Sequence, residues 1–105
     1  MILNKKCVEL GLPEPKQNEE QLHYIKRAML EGNNLNTRVC RYIGIHNLHS
    51  IVPKLHKLGI VFEWLNSPVY CPLLQMTPPE PVIVIYMTVE QQRKYWEEKK
   101  KPSKN

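Results

Sequence analysis

Two apolar-periodic segments meet at Gly44-Ile45 in the stretch CRYIGIHNLHSIVPKLHKLGIVFEWL, Cys40 to Leu65, and the second stops at Gly59 before a β-rich run. Few arrangements accommodate that order. Leu48, Ile51, Val52, Leu55 and Leu58 recur at three- and four-residue steps, the spacing that lines one face of a helix. The pattern predicts a helix over residues 47–58, closed by Gly59 in a left-handed cap. Its other face carries His46, Asn47, His49, Ser50, Lys54 and Lys57. Pro53 sits awkwardly there, because a proline inside a helix removes one hydrogen bond and costs about 3 kcal/mol. In the first turn that penalty disappears, so the regular helix is expected to begin at Ser50, after an irregular entry over residues 46–50.

The same reasoning places the other elements. Residues 1–12 form a short helix with Leu3, Cys7 and Leu10 on one face and Gly11 as its stop, before Pro13 and Pro15 impose an extended linker. A longer helix follows, with Asn18 as N-cap, Glu19 and Glu20 at the positive end of its dipole, and Leu22, Ile25, Met29 and Leu30 as its apolar face. Asn36 or Thr37 caps a third, shorter helix in which Val39, Cys40 and Ile43 face inward and Arg38, Arg41 and Tyr42 outward. After Gly59, IVFEWL and PVIVIYMT are rich in β-branched and aromatic residues and predict two strands. Pro68, Pro72, Pro78 and Pro79 make the segment between them a long hairpin loop. A last helix from Val89 to Lys101 has Val89, Gln92 or Arg93, and Trp96 on one side, and a lysine-rich tail ends the chain. The expected organisation is an arm or short helix over 1–17, a domain over 18–88, and a C-terminal helix and basic tail over 89–105.

Charge narrows the partners. Lys and Arg number 15 against 10 acids in 105 residues, a formal charge of +5, which favours polyanions. Between Gly32 and Phe62 the charged residues are Arg38, Arg41, Lys54 and Lys57, with no carboxylate, so positive potential should gather on whatever surface that segment builds. Cys7, Cys40 and Cys71 lack a Cys-x-x-Cys pair, which fits neither a disulfide framework nor a four-cysteine zinc site. The apolar region at the amino terminus is too short for a signal peptide and no run is long enough to span a bilayer, so a cytoplasmic protein without a membrane partner is expected.

Three helices, a glycine turn between the second and third, and then a hairpin is the order of a winged helix-turn-helix. The segment AMLEGNNLNTRVCRYIGIHNLHSIVPKLHKLGIVFEWL resembles the helix-turn-helix domains common in bacteriophages and other mobile elements. The matching pieces are Leu30-Glu31-Gly32, Leu35-Asn36-Thr37, Tyr42-Ile43-Gly44-Ile45 and Leu55-His56-Lys57-Leu58-Gly59-Ile60, and the resemblance covers residues 20–66. It implies an α+β fold, a winged helix-turn-helix with a three-helix core, a two-stranded hairpin wing and an extra C-terminal helix. It also implies a sequence-specific double-stranded DNA-binding protein that regulates transcription, with helix 47–58 in the major groove. His46, Asn47, His49 and Ser50 would then meet base edges, and Lys54, Lys57, Thr37, Arg38 and Arg41 phosphates. No cofactor is implied, and Tyr95 and Trp96 of the last helix are expected to pack onto the domain or, in a homodimer, onto a twin subunit.

One departure opens a second reading. A wing that touches DNA usually offers Arg or Lys, whereas residues 64–79 carry no charge and contain Tyr70, Leu73, Leu74 and Met76. The apolar loop 67–81 would then bind a host protein or a subunit of a nucleic-acid enzyme. Enzymatic and metal readings find less support: there is no Asp, no Gly-rich phosphate loop, and no second ligand cluster to join His46, His49 and His56.

Overall fold

The structure is a computed structural model that describes residues 1–100. Among these residues it is an α+β arrangement of five helices and one three-stranded antiparallel sheet. In chain order the elements are α1 (Asn4–Glu9), α2 (Gln21–Leu30), β1 (Leu35–Asn36), α3 (Thr37–Tyr42), α4 (Leu48–Lys57), β2 (Glu63–Ser67), β3 (Val82–Tyr86) and α5 (Val89–Lys100). The strand order is β1-β3-β2. Trp64 pairs with Ile85 on one side of β3, and Leu35 pairs with the same Ile85 on the other.

One core joins these layers. Tyr24, Ile25, Ala28 and Met29 from α2, Leu35, Cys40, Ile43, Ile45 and Leu55 are fully enclosed together with Ile85 of β3. The amino-terminal arm belongs to it too: Ile2 and Cys7 are buried in the same cluster, and the Leu3 N–H donates to the Ile43 carbonyl at 2.7 Å. The expected lysine-rich tail at 101–105 lies outside the described residues.

Several expectations need correction. The sheet has a third strand, β1, whose two residues pair with Ile85 and Val84; a strand that short leaves no alternating pattern to detect. Asn18 does not cap α2. It takes a left-handed conformation, φ 61°, in the turn before the helix, and α2 begins two residues beyond Glu19. Glu19 therefore serves the fold through a side chain rather than a helix dipole: Arg27 Nε and Nη2 donate to its two carboxylate oxygens at 2.9 and 2.8 Å. Nη2 also reaches the Glu14 carbonyl at 2.8 Å, which ties the proline linker onto α2.

That pairing has a measurable pH signature. The Arg27 guanidinium holds the Glu19 carboxyl below its ordinary range, with only 9% of the Glu19 side chain and 22% of Arg27 exposed. A depressed carboxylate contributes stability above its unfolded-state pKa, and that stability is lost as pH falls through the folded-state value. Glu19→Gln should lower the unfolding free energy by about 1.5–3 kcal/mol at neutral pH. Denaturant titrations in acid should show the gap from the unsubstituted protein closing; a gap independent of pH would contradict the role.

α4 starts at Leu48, earlier than expected, so Pro53 lies in its interior. The proline faces water, as does His49, the residue whose carbonyl would have accepted from position 53. The cost of about 3 kcal/mol is offset because Leu48, Ile51 and Leu55 are buried, each contributing roughly 1.5–3 kcal/mol. Leu58, expected in the apolar stripe, is 53% exposed: it sits at the C-cap, where the chain turns away into β2. In α5 the side expected to hold Val89, Gln92 or Arg93, and Trp96 is split: Val89 and Trp96 face outward at 80% and 49% exposure, Arg93 is exposed, and Gln92 turns inward with Gln91 and Tyr95. A capping box sets that phase, with the Gln91 N–H donating to Thr88 Oγ1 at 3.1 Å and the Thr88 N–H to Gln91 Oε1 at 2.9 Å.

Candidate functional site

The turn at Gly44-Ile45 fixes how α4 meets the rest of the molecule. Asn36 caps α3 by accepting from the Val39 N–H at 2.9 Å, and α3 ends where Gly44 takes φ +99°. The Ile45 N–H then donates to the Cys40 carbonyl at 2.7 Å, and Ile45 is buried. With Ile45, Leu48, Ile51 and Leu55 turned inward, helical periodicity turns the remaining face outward. His46, Asn47, His49, Ser50, Lys54 and Lys57 are all exposed. Among the described residues none of their side chains makes a hydrogen bond or ion pair, and Asn47, at the N-cap, makes no side-chain cap. They form one row of unengaged polar groups with the exposed Pro53 between them.

Part of this row has a structural reason. Lys54, His56 and Lys57 occupy the last turn of α4, where cations interact favourably with the helix dipole. His56 stacks on Phe62 with ring centroids 4.7 Å apart, which anchors the end of α4 to the segment leading into β2. His46, Asn47, His49 and Ser50 have no such role in the fold.

Chain folding also brings in groups that the linear charge pattern hides. A cleft of about 450 Å³ beside α4 is lined by Asn47, Ser50 and Lys54 together with Glu19 and Glu20. Glu19 is tied to Arg27, so Glu20 carries the negative charge of that cleft. The stretch free of acids in sequence therefore has an acid at its border in space, contributed by the start of α2.

Thr37, Arg38 and Arg41 lie elsewhere, on α3, where they line a cleft of about 370 Å³ with Cys71, Leu73 and Leu74 of the hairpin loop. Arg41 is exposed and Arg38 half-buried. Thr37 Oγ1 and Arg38 Nε are shielded from solvent without a hydrogen-bond partner among the described residues, while Arg38 Nη2 reaches the Glu80 carbonyl at 3.4 Å. The loop closes on itself there through the Cys71 N–H to the Met76 carbonyl at 2.8 Å and the Gln75 N–H to the Cys71 carbonyl at 2.7 Å. Backbone groups of Leu74 and Leu73, together with Arg38, pull the Cys71 thiol below its ordinary value against the opposing effect of burial. Burial pushes Cys40 the other way, up to about 12.

The apolar residues of the loop remain in water: Tyr70 is 54%, Leu73 59%, Leu74 61% and Met76 51% exposed. Tyr95 packs partly against the core and meets Trp96 edge-on at 5.1 Å. Among the described residues no three His, Cys or Glu side chains converge as metal ligands would, and no helix is long and apolar enough to cross a membrane. Comparison with family models, with curated proteins and with solved structures gave no match.

Proposed function

We propose that this chain is a winged helix-turn-helix DNA-binding protein of the kind found in phages and mobile elements, a cytoplasmic transcriptional regulator without enzymatic activity or cofactor. In this reading α2, α3 and α4 are the helical core, β2 and β3 the wing, and α4 lies in the major groove. The observation that carries it is the outer face of α4: six polar side chains from His46 to Lys57, exposed and, among the described residues, without partners. Asn47 can bond an adenine edge, Ser50 is permissive, and His46 and His49 donate or accept. Lys54 and Lys57 meet phosphates, and Arg41, with Arg38 once freed from Glu80, anchors the backbone from α3.

Four phosphate contacts release enough counterions to give a slope of about −3.6 in log affinity against log salt. Duplex binding should therefore fall roughly hundredfold between about 50 and 200 mM salt. Affinity measured by anisotropy on random duplexes tests this, and a flat salt response would contradict it.

The loop supports a second reading, a protein-interaction module, because Tyr70, Leu73, Leu74 and Met76 are all more than half exposed and large exposed apolar groups mark binding surfaces. Deleting residues 68–79 should then destroy capture of a partner protein and spare duplex affinity. Capture that survives the deletion would remove the loop from such a site.

A further inference from the structure

The sheet is open on the β2 side. β2 pairs with β3 along its whole length, from Glu63 opposite Tyr86 to Ser67 opposite Val82. Beyond β2, among the described residues, the sheet has no further strand. Such an edge presents backbone N–H and C=O groups that another strand can complete, and proteins commonly blunt it with charged side chains or proline inside the strand. Glu63-Trp64-Leu65-Asn66-Ser67 has one charge, at its first residue, where the Glu63 carboxylate accepts from Gln91 Nε2 of α5 at 2.7 Å; the other four are uncharged, and Pro68 comes only after the last of them. Successive strand residues point to opposite faces, yet Glu63, Trp64, Leu65 and Asn66 are all exposed, with Trp64 at 55% and Leu65 at 42%. The strand stands beyond the core with apolar side chains in water on both faces.

We propose that β2 is a self-pairing edge: a second copy of this chain adds its own β2, antiparallel, about a two-fold axis at Leu65. Charge selects both occupant and register. The chain carries +5 overall, but residues 64–79 hold no charge at all, so two copies meet here with less repulsion than through a lysine-bearing face. An axis at Leu65 pairs all five residues, with Glu63 opposite Ser67, Trp64 opposite Asn66, and Leu65 opposite its counterpart. The one charge in the strand then faces a hydroxyl. An axis at Glu63 would set two carboxylates against each other, and one moved toward Ser67 would bring Pro68, which has no N–H, into the ladder. The patch is thus self-complementary, as a two-fold interface requires. A five-residue ladder with one flanking tryptophan is a small interface, so the dimer is weak and depends on concentration. Nothing in this dimer depends on DNA binding.

A cysteine at position 65 tests the register. Directly opposed residues of an antiparallel pair have Cα atoms about 4.5–5.5 Å apart, inside the about 4.4–6.8 Å that a disulfide spans. Mild oxidation of Leu65→Cys should yield a covalent dimer that reductant reverses, whereas Glu98→Cys, an exposed site on α5, should yield none. Sedimentation equilibrium over a wide concentration range should show a reversible dimer for the unsubstituted chain. Leu65→Lys, which opposes two ammonium groups at the axis, should abolish that dimer and leave the melting curve unchanged. The proposal is overturned if the unsubstituted chain stays monomeric throughout, if Leu65→Lys dimerises equally well, or if Leu65→Cys crosslinks no better than Glu98→Cys.

Discussion

Replacing Lys54 and Lys57 together by glutamate is expected to abolish duplex binding while the protein stays folded. Both side chains are exposed and, among the described residues, unpaired, so the change removes two cations from the outer face of α4 and puts two anions in their place. Losing two phosphate contacts lowers the salt slope by about 1.8, and each new carboxylate is repelled by the phosphates it would approach. Together these should weaken binding by at least about hundredfold. Stability changes far less. Each glutamate in the last turn of α4 opposes the helix dipole, at a cost of about 0.3–1 kcal/mol, which lowers Tm by several degrees. The glutamine pair Lys54→Gln with Lys57→Gln avoids that cost and still removes the contacts. Anisotropy on a duplex, read beside a thermal melt, separates the effects, and undiminished binding by the glutamate pair would remove α4 from the interface.

The largest stability effect is expected at Gly44→Ala. Gly44 holds φ +99°, and a Cβ built there would stand 2.4 Å from the Met1 carbonyl oxygen and 3.3 Å from Leu3 Cγ. An L-residue at that φ costs about 1–3 kcal/mol by itself. The methyl group must also displace backbone that is held by the Leu3 N–H bond to Ile43. The sum, about 3–5 kcal/mol, would lower Tm by roughly 12–30 °C. Gly32→Ala is the control: φ is similar, +93°, but nothing lies within 4 Å of the new Cβ, so only the conformational cost applies. Equal melting temperatures for the two variants would show that the arm does not press on this turn.

How much was legible in the sequence follows from the range of each interaction. The inward stripe of α4 over Leu48, Ile51 and Leu55, the cap at Asn36, the glycine turn at Gly44 and the two β-rich segments rest on residues a few positions apart. Local spacing encodes them directly. The polar face of α4 was legible for the same reason, since whatever the stripe buries leaves the opposite side in water.

What the sequence hid depends on partners far along the chain. β1 exists because Ile85 accepts a neighbour on each side, fifty residues from Leu35. Glu19 looked like a dipole-stabilising residue, but Arg27 claims it across a turn that Asn18 makes possible. Neither the acid beside Lys54 nor the hairpin tip over Arg38 has any local signature. Pro53 misled in the other direction, because its local penalty is real but smaller than the burial that holds α4 together. The capping box Thr88-Val89-Glu90-Gln91 was visible and fixes where α5 starts, and reading it would have separated Tyr95, which packs on the core, from Trp96, which does not.

The central claim is that the outer face of α4 meets the duplex, and a titration of isotope-labelled protein with a random-sequence duplex at low salt tests it most directly. Amide shifts should concentrate at His46–Lys57, with a second group at Thr37–Arg41, and both should fade as salt is added. Shifts confined to the hairpin tip around Leu73–Met76, or no shifts at any duplex concentration, would contradict it.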